Sequence, residues 1–306
     1  MPKVSIGLPV YNGERFLREA LDSILAQTFG DFDVLLYDNA STDGTERICR
    51  EYAARDSRIT YRRHVTNLGA GRNYNLTFLD STGTYFKWAA HDDVMAPAFL
   101  EKCVAALDTH PEVVLAFTKM MDINDEGRHL PERITSHISR SERGASPKVH
   151  QRFRRLIRLD YTIEEIFGLI RSEMLRKTRL FLNYSDSDRT LLTELALYGP
   201  TLEVPETLFY HRMHKGSSVS MYPTREERGA WFDPALAGKR TFPRNRQVLE
   251  YWKMIFRHPI GMVNRFLCLF FLANYIRVQR RRLLPEIIGG LRRTPPHSSR
   301  QPSTNR

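Results

Sequence analysis

The strongest constraint on the fold is an alternation, as far as Phe117, between short apolar runs and amphipathic segments. The segments between the runs place apolar side chains every three or four residues, as a helix with one buried face requires. Because strands that alternate with helices are joined by right-handed crossovers, the pattern predicts an α/β fold with a mostly parallel sheet flanked by helices. The predicted strands are Val4 to Pro9, Phe32 to Tyr37, Ile59 to Arg62, Thr84 to Ala89 and Val113 to Phe117.

The alternation stops after residue 121. Residues 122–150 are polar and basic, which predicts a long loop or a lid. A helix is expected from Asp186 to Tyr198. Two short strands, Leu202 to Val204 and Thr207 to Tyr210, are expected on either side of Pro205, because proline cannot donate a ladder hydrogen bond.

The formal net charge of +11 is concentrated at one end of the chain. From Glu250 to Arg306, eleven Lys and Arg stand against two Glu, a net +9, and the other 249 residues carry +2. A protein that binds nucleic acid would present basic residues on the body of the domain. The charge distribution therefore argues against a nucleic-acid partner.

The basic end also holds an apolar run, Phe266 to Ala273, with arginines on both sides. The run is too short for a confident membrane span, and it predicts an interfacial helix that binds an anionic membrane through residues 257–293. The alternative is a helix packed on the domain or in a homodimer. We expect a main domain over 1–220, a basic helical extension over 221–293 and a disordered tail over 294–306.

The three cysteines, Cys49, Cys103 and Cys268, have no metal or redox spacing. Each falls in a helical pattern, so we expect three small buried hydrophobic side chains. No secretory pattern precedes the first strand. These features predict a cytoplasmic protein, held at the inner face of the plasma membrane if the basic helix binds lipid.

Polar side chains follow several predicted strands at the point where each strand ends. Tyr11 follows the first strand, Asp38 follows the second, and Asn67 and Arg72 follow the third. In such sheets the carboxyl ends of the strands are where ligands bind. Turn and capping chemistry explains the neighbouring Asp43, and the glycines before Arg72 match no established phosphate loop. The convergence of several strand ends still predicts a ligand site at this edge.

Two adjacent carboxylates, Asp92 and Asp93, follow the fourth predicted strand. Like charges held together repel, so a positive partner is expected beside them. Carboxylate oxygens suit Mn²⁺ or Mg²⁺, and such cations often bridge phosphates. The pair therefore predicts a divalent cation site.

Taken in order, these motifs resemble those of the family 2 glycosyltransferases over roughly residues 3–220. The resemblance implies the GT-A fold and the inverting transfer of a sugar from a UDP- or dTDP-sugar to a hydroxyl of a glycan or lipid-linked acceptor. The matching segments are Pro9-Val10-Tyr11-Asn12-Gly13, Asp38-Asn39-Ala40-Ser41-Thr42-Asp43, Asn67-Leu68-Gly69, Arg72-Asn73, His91-Asp92-Asp93, Ser187-Asp188-Arg189 and Arg212-Met213-His214.

The resemblance also implies a role for each matching position. Asp188 would be the general base, and Asp93 and Asp92 would hold the Mn²⁺ or Mg²⁺, with Asp92 also near the ribose. His91 and His214 are further candidates near the metal or the phosphates. The donor nucleotide would be bound by Pro9, Tyr11, Glu14, Asp38, Asn67, Arg72 and Asp92, with Asp38 at the base and Tyr11 packed on it.

One position departs from the pattern of the family. Many relatives carry a further Asp two positions before Asp92, and here that residue is Ala90, which predicts a metal site with fewer ligands. Asp186 competes with Asp188 as the base, and we expect Asp186 to cap the helix instead.

Two other interpretations stay open. Ala90 favours a catalytically inactive relative that binds a nucleotide-sugar. A sugar nucleotidyltransferase would share the sheet and a metal carboxylate, but the loop after the first strand, Tyr11-Asn12-Gly13-Glu14, lacks the Gly-rich, basic sequence expected of one.

Overall fold

The computed structural model describes residues 1–131, 142, 144–158 and 164–291. They contain one central sheet. Its strands are β1 (Val4–Val10), β2 (Phe32–Asp38), β3 (Ile59–Arg63), β4 (Tyr85–Trp88), β5 (Val94–Met95), β6 (Leu115–Ile123), β7 (Leu169–Arg171) and β8 (Thr201–Arg212). The strand order is β3-β2-β1-β4-β7-β6-β8-β5.

Helices cover both faces of the sheet. They are α1 (Leu17–Leu25), α2 (Thr45–Arg55), α3 (Ala70–Leu79), α4 (Phe99–Thr109), α5 (Val149–Leu156), α6 (Ser172–Arg176), α7 (Ser187–Tyr198), α8 (Ser218–Met221), α9 (Arg225–Phe232), α10 (Pro243–Arg257) and α11 (Met262–Leu291). One core cluster joins α1, α2 and α4 to the sheet, and a second joins α3, α6 and α7 to it. Because both faces are covered, every residue of β1 is buried.

The predicted mostly parallel sheet is confirmed. β1 pairs in parallel with β2 and β4, β2 with β3, and β6 with β8. β7 lies antiparallel between β4 and β6, and β5 lies antiparallel on β8. The parallel pairs bring the carboxyl ends of β1, β2 and β4 to one edge, where the predicted ligand site lies.

The two short strands predicted around Pro205 are wrong, because β8 is one strand through that position. Its pairing with β6 moves from Thr118–Val204 directly to Lys119–Thr207, so Pro205 and Glu206 fall in a register shift. A bulge leaves the residue without an N–H outside the ladder, and the strand continues.

The predicted loop over 122–150 is also wrong at both described ends. Ile123 ends β6, and the chain then turns back through an Asn124 side chain that accepts hydrogen bonds from the N–H groups of Glu126 and Arg128. At the other end α5 begins at Val149. The central part of the predicted lid, residues 132–141 and 143, lies outside the described residues, as does the predicted tail over 294–306.

The last two helices pack on α5 and α7 through a third apolar cluster. From α11 this cluster takes Cys268, Leu272 and Tyr275, and from α10 it takes Tyr251 and Met254. Within the described ranges, no helix is both long enough and apolar enough to cross a bilayer. All three cysteines are buried, as predicted.

Candidate functional site

The loop after β2 is built around Asp38, which is fully buried. Its Oδ1 accepts from the N–H of Ser41 at 2.8 Å, and its Oδ2 accepts from Tyr61 Oη at 3.1 Å and Arg63 Nε at 3.2 Å. Both carboxylate oxygens of Asp38 therefore already accept hydrogen bonds from within the protein. Asp38 lies at the predicted edge, and its assignment to the nucleotide base stays a prediction.

Asn39 connects this loop to the one after β3. Its Nδ2 donates to Asn67 Oδ1 at 2.9 Å, and its Oδ1 accepts from the N–H of Leu68 at 2.8 Å. Asn67 Oδ1 also accepts from the N–H of Gly69 at 2.8 Å, which leaves the exposed Asn67 amide nitrogen for a ligand. The sequence did not single out Asn39, although it stands directly beside Asp38.

The loop after β1 is tied to the start of α2. Asn12, with φ 50°, accepts from the N–H of Thr42 at 2.8 Å, and Glu14 Oε2 accepts from the N–H of Gly44 at 2.9 Å. The structure therefore gives Glu14 a structural partner at the position predicted to bind nucleotide. Pro9 is buried in β1, and Tyr11 beside it is half-buried at the edge.

The two carboxylates of the predicted metal site lie in the turn between β4 and β5. Asp93 is 7 % exposed, and its Oδ1 accepts from the backbone N–H of Arg212 at 2.9 Å. Asp92 Oδ2 lies 2.9 Å from His214 Nε2. His91 packs on the β1 loop, where a Cβ added at Gly13 would lie 2.7 Å from its ring.

The two acids differ in their pKa. Burial, together with the charge of Asp92, raises the pKa of Asp93 to about 7. Burial also opposes ionisation of Asp92, but the neighbouring His91, the hydrogen bond from His214 and the field of His211 outweigh it and lower its pKa. At neutral pH Asp92 is therefore ionised, and Asp93 is partly protonated.

Arg212 fixes this turn and was missed as a site residue. Its side chain is fully buried, and its Nε donates to the carbonyl of Asp92 at 2.9 Å. Its other nitrogens donate to the carbonyls of Asn124 and Asp125, both at 3.0 Å, and to Glu19 Oε2 at 2.6 Å. The guanidinium thus joins the carboxylate turn to α1 and to the end of β6.

Asp188 lies in the first turn of α7. Its pKa is raised to about 7, first by burial and then by the negative charge of Asp186, against the pull of Arg189. Asp186 occupies the N-cap position with φ 66° but makes no capping hydrogen bond through its side chain. The predicted cap is therefore wrong, because the left-handed backbone at Asp186 is not the extended geometry typical of N-caps.

The charges of all three acids act on the phenol of Tyr74 in α3. The pKa of this phenol is raised first by burial and then by the charges of Asp92, Asp93 and Asp188. The ring of Tyr74 lies edge-on to Phe181, with centroids 5.2 Å apart. The fields of the predicted metal acids and of the predicted base therefore both reach this buried phenol.

The two carboxylates could hold a divalent cation only if a ligand and water supplied the remaining coordination positions. Among the described residues, no group of three or more His, Cys, Asp or Glu could hold a metal ion. Two carboxylates with hard oxygens would leave the remaining coordination positions to a diphosphate and water, as is usual for Mg²⁺.

A cavity of about 260 Å³ lies between the start of α3, residues 181–183 and the end of α9. Arg72 and Asn183 contribute polar groups to it, and Phe181 and Phe232 contribute aromatic faces. Phe232 occupies the space that a side chain at Gly71 would need, since a Cβ there would lie 2.3 Å from its ring.

Comparison with known proteins agrees with the family resemblance seen in the sequence. The sequence profile of the family described as Glycosyl transferase family 2 matches residues 5–178, which is more than half of the chain. The chain belongs to this family. The predicted family is thereby confirmed.

Among curated relatives, this family 2 member is 39 % identical over 127 residues to the putative glycosyltransferase EpsE of Bacillus subtilis, covering 41 % of this chain and 46 % of that protein. It is 24 % identical over 225 residues to an uncharacterized glycosyltransferase of Haemophilus influenzae, covering 72 % of this chain and 68 % of that protein. The match spans less than half the length of EpsE and about a third of a Rickettsia prowazekii relative.

Solved structures share the fold of this family 2 member. TarS 1–349 of S. aureus in complex with UDP has a TM-score of 0.61 at 18 % identity, covering 90 % of this chain and 72 % of that one. The mannosyltransferase PcManGT of Pyrobaculum calidifontis in complex with GDP-Man and Mn²⁺ has a TM-score of 0.58 at 16 % identity, covering 95 % and 79 %. The predicted GT-A fold is confirmed.

Proposed function

We propose that this chain transfers a sugar, with inversion, from a nucleoside diphosphate donor to a hydroxyl group of a glycan or lipid-linked acceptor. The observations that carry the proposal are the buried Asp92–Asp93 turn held by Arg212 and His214, and the charge of Asp188, which acts together with theirs on Tyr74. An inverting transfer needs one base and one cation site for the leaving diphosphate. The three acids provide candidates for both.

On the donor side, Asp93 and Asp92 would hold Mn²⁺ or Mg²⁺. The bound cation supplies charge stabilisation for the departing diphosphate. Asp92 stays ionised across the neutral range because three histidines and a hydrogen bond favour its charge. Arg212 holds one oxygen of Asp93 through its backbone N–H, so the turn is positioned before a donor arrives.

On the acceptor side, Asp188 would be the general base. It takes the proton of the attacking hydroxyl while the oxygen forms the new bond to the anomeric carbon, and the diphosphate leaves with the electron pair of the broken bond. A base with a pKa of about 7 combines a useful ionised fraction with good proton affinity. A single displacement of this kind inverts the anomeric centre.

We further propose a UDP- or dTDP-sugar as donor and an acceptor that enters through the cavity lined by Phe181 and Phe232. Arg72, which the resemblance assigned to the donor nucleotide, would then line the acceptor entrance instead. Tyr11 and the free amide of Asn67 support a nucleotide at the β1 and β3 loops. The aromatic faces of Phe181 and Phe232 support a saccharide in the cavity. TarS has been solved with UDP-GlcNAc and PcManGT with GDP-Man, so donors must be compared across bases.

The test is a panel of UDP-, dTDP- and GDP-sugars, with release of nucleoside diphosphate measured in Mn²⁺, Mg²⁺ and EDTA. We expect D188N to lose at least about a hundredfold in turnover while it still binds donor. D93A should lose the cation dependence of donor binding. D31N, which removes an exposed charge at the opposite end of β2, is the matched control.

Each interpretation has its own outcome in this panel. Near-normal turnover by D188N would show that Asp188 is not the base. Donor binding by the wild type without hydrolysis or transfer would support the inactive relative, the interpretation that Ala90 favours. Pyrophosphate release from a nucleoside triphosphate and a sugar phosphate would support the nucleotidyltransferase.

A further inference from the structure

The outer faces of α10 and α11 expose large apolar side chains that the core does not use. On α11, Val263 is 74 % exposed, Phe266 69 % and Phe270 59 %, and on α10 Trp252 and Phe256 are about half exposed. The inner faces of both helices are already buried in the third core cluster. Folding of the described residues therefore does not account for the outer side chains.

Contacts of Arg265 link the two helices beside these residues. The rings of Trp252 and Phe256 lie 4.9 Å apart, centroid to centroid. The guanidinium of Arg265 lies 5.9 Å from the Phe256 ring, and its Nη1 is 3.7 Å from Met262 Sδ. We call the set Trp252, Phe256, Met262, Val263, Phe266 and Phe270 the apolar surface.

The charge around the apolar surface has one sign. Between residues 251 and 285 the sequence has no Asp or Glu, and it has the basic residues Lys253, Arg257, Arg265, Arg277, Arg280, Arg281 and Arg282. Two buried acids reach this region. Glu250 pairs with Arg179 at 2.7 Å and Lys253 at 3.1 Å, and Glu194 pairs with Arg257 at 2.7 Å. The arginines from Arg265 to Arg282 lie beyond these pairs. The partner of this surface must therefore be apolar and anionic.

We propose that the apolar surface, with its basic surroundings, docks on an anionic lipid bilayer and inserts Phe266 and Phe270 at the level of the head groups. Amphipathic helices with aromatic residues on one face and arginines beside it bind membranes in this way. A symmetric contact with a second copy would place the same arginines against each other, which is unfavourable. The docking is independent of the proposed reaction.

The surface also extends the prediction made from the sequence, which began at residue 257. Trp252 and Phe256 of α10 lie before that point and belong to the same surface. The sequence offered a helix packed on the domain as the alternative to membrane binding. In the structure the two are compatible, because α11 packs through Cys268 and Leu272 and exposes the opposite face.

The experiment is sedimentation of the full chain with vesicles of phosphatidylcholine, with and without a quarter of phosphatidylglycerol. We expect binding only to the anionic vesicles. R281Q/R282Q should weaken it about twenty-five-fold, at about fivefold for each arginine near the surface. R55Q/K102Q removes the same charge from exposed positions on α2 and α4, and it should change binding by less than about threefold.

Apolar insertion is tested separately. F266S/F270S should weaken binding at least about tenfold, because both rings leave water on insertion. L79S, at an exposed position on α3, is the apolar control. Equal binding to neutral and anionic vesicles, or unchanged binding by F266S/F270S, would overturn the proposal. So would a vesicle-free dimer that F266S/F270S dissociates in sedimentation equilibrium, since a second copy would then cover the surface.

Discussion

Asp186 should tune the pH dependence of transfer without taking part in it. The pKa of Asp188 is raised to about 7 by burial and by the negative charge of Asp186. A general base works in its ionised form, so the rate should fall as the pH drops below 7. D186N removes a charge from a nearby residue and should lower the pKa of Asp188 by about 0.5 to 1 unit.

The magnitude follows from the ionised fraction. At pH 6 a base with a pKa of 7 is about 9 % ionised, and lowering the pKa to between 6.5 and 6 raises that fraction roughly threefold to fivefold. Near pH 8.5 both forms are almost fully ionised, so the two rates should agree within about twofold. D186N should therefore be the faster enzyme at pH 6 and no faster at pH 8.5.

The assay measures kcat/KM from pH 5.5 to 9 with saturating divalent cation. The bound cation keeps Asp93 ionised, so ionisation of Asp188 determines how the rate falls at the acid side of the pH profile, its acid limb. D31N, an equal loss of charge at the far end of β2, should leave the limb in place. An acid limb that does not move in D186N would refute the electrostatic argument. Complete loss of activity in D186N would instead assign the base to Asp186.

Two further predictions concern stability. The pKa of Asp93 is raised from 3.8 to about 7 in the folded chain, so the cation-free protein should lose stability as the pH rises from 4 through 7. D93N removes the cost of ionising a buried carboxyl and should raise the free energy of unfolding at pH 8 by up to about 4 kcal/mol in urea titrations without cation. No gain in stability at pH 8 would contradict the assigned burial. R212M should lower the free energy of unfolding by about 3–5 kcal/mol, because it removes a buried cation from three carbonyls and Glu19. E19Q, at a half-exposed partner, should cost less than about 1 kcal/mol, and equal losses in the two variants would show that the carbonyl contacts contribute little.

Local patterns were enough to predict the edge that carries the site. Parallel strands end at the same side of a sheet, so Asp38 and Asp92 could be placed near one another from strand order alone. The later Asp188 required the family resemblance, because no pattern within 122–186 predicts how the chain returns to that edge.

Arg212 could not have been recognised in the same way. Its segment was noted, but Glu19, the acid it contacts, is 193 residues away, and its carbonyl partners belong to turns whose shape follows from the fold. Asp186 illustrates the opposite difficulty. Its residue type and position are those of a helix cap, and its left-handed backbone prevents the expected bond. Conformation at a single residue decided the outcome there.

The contact between Gly71 and Phe232 forms one wall of the cavity proposed as the acceptor entrance, so two sequence positions determine the shape of that wall. Any side chain at residue 71 would collide with the Phe232 ring, so the α9 segment can rest on α3 only while that position stays glycine. A relative with a larger residue there must either carry a smaller side chain at position 232 or place its α9 segment farther away and present a wider opening. Exchanging residues 71 and 232 together between two relatives should therefore exchange the range of acceptors that each accepts. Exchanging either residue alone should not.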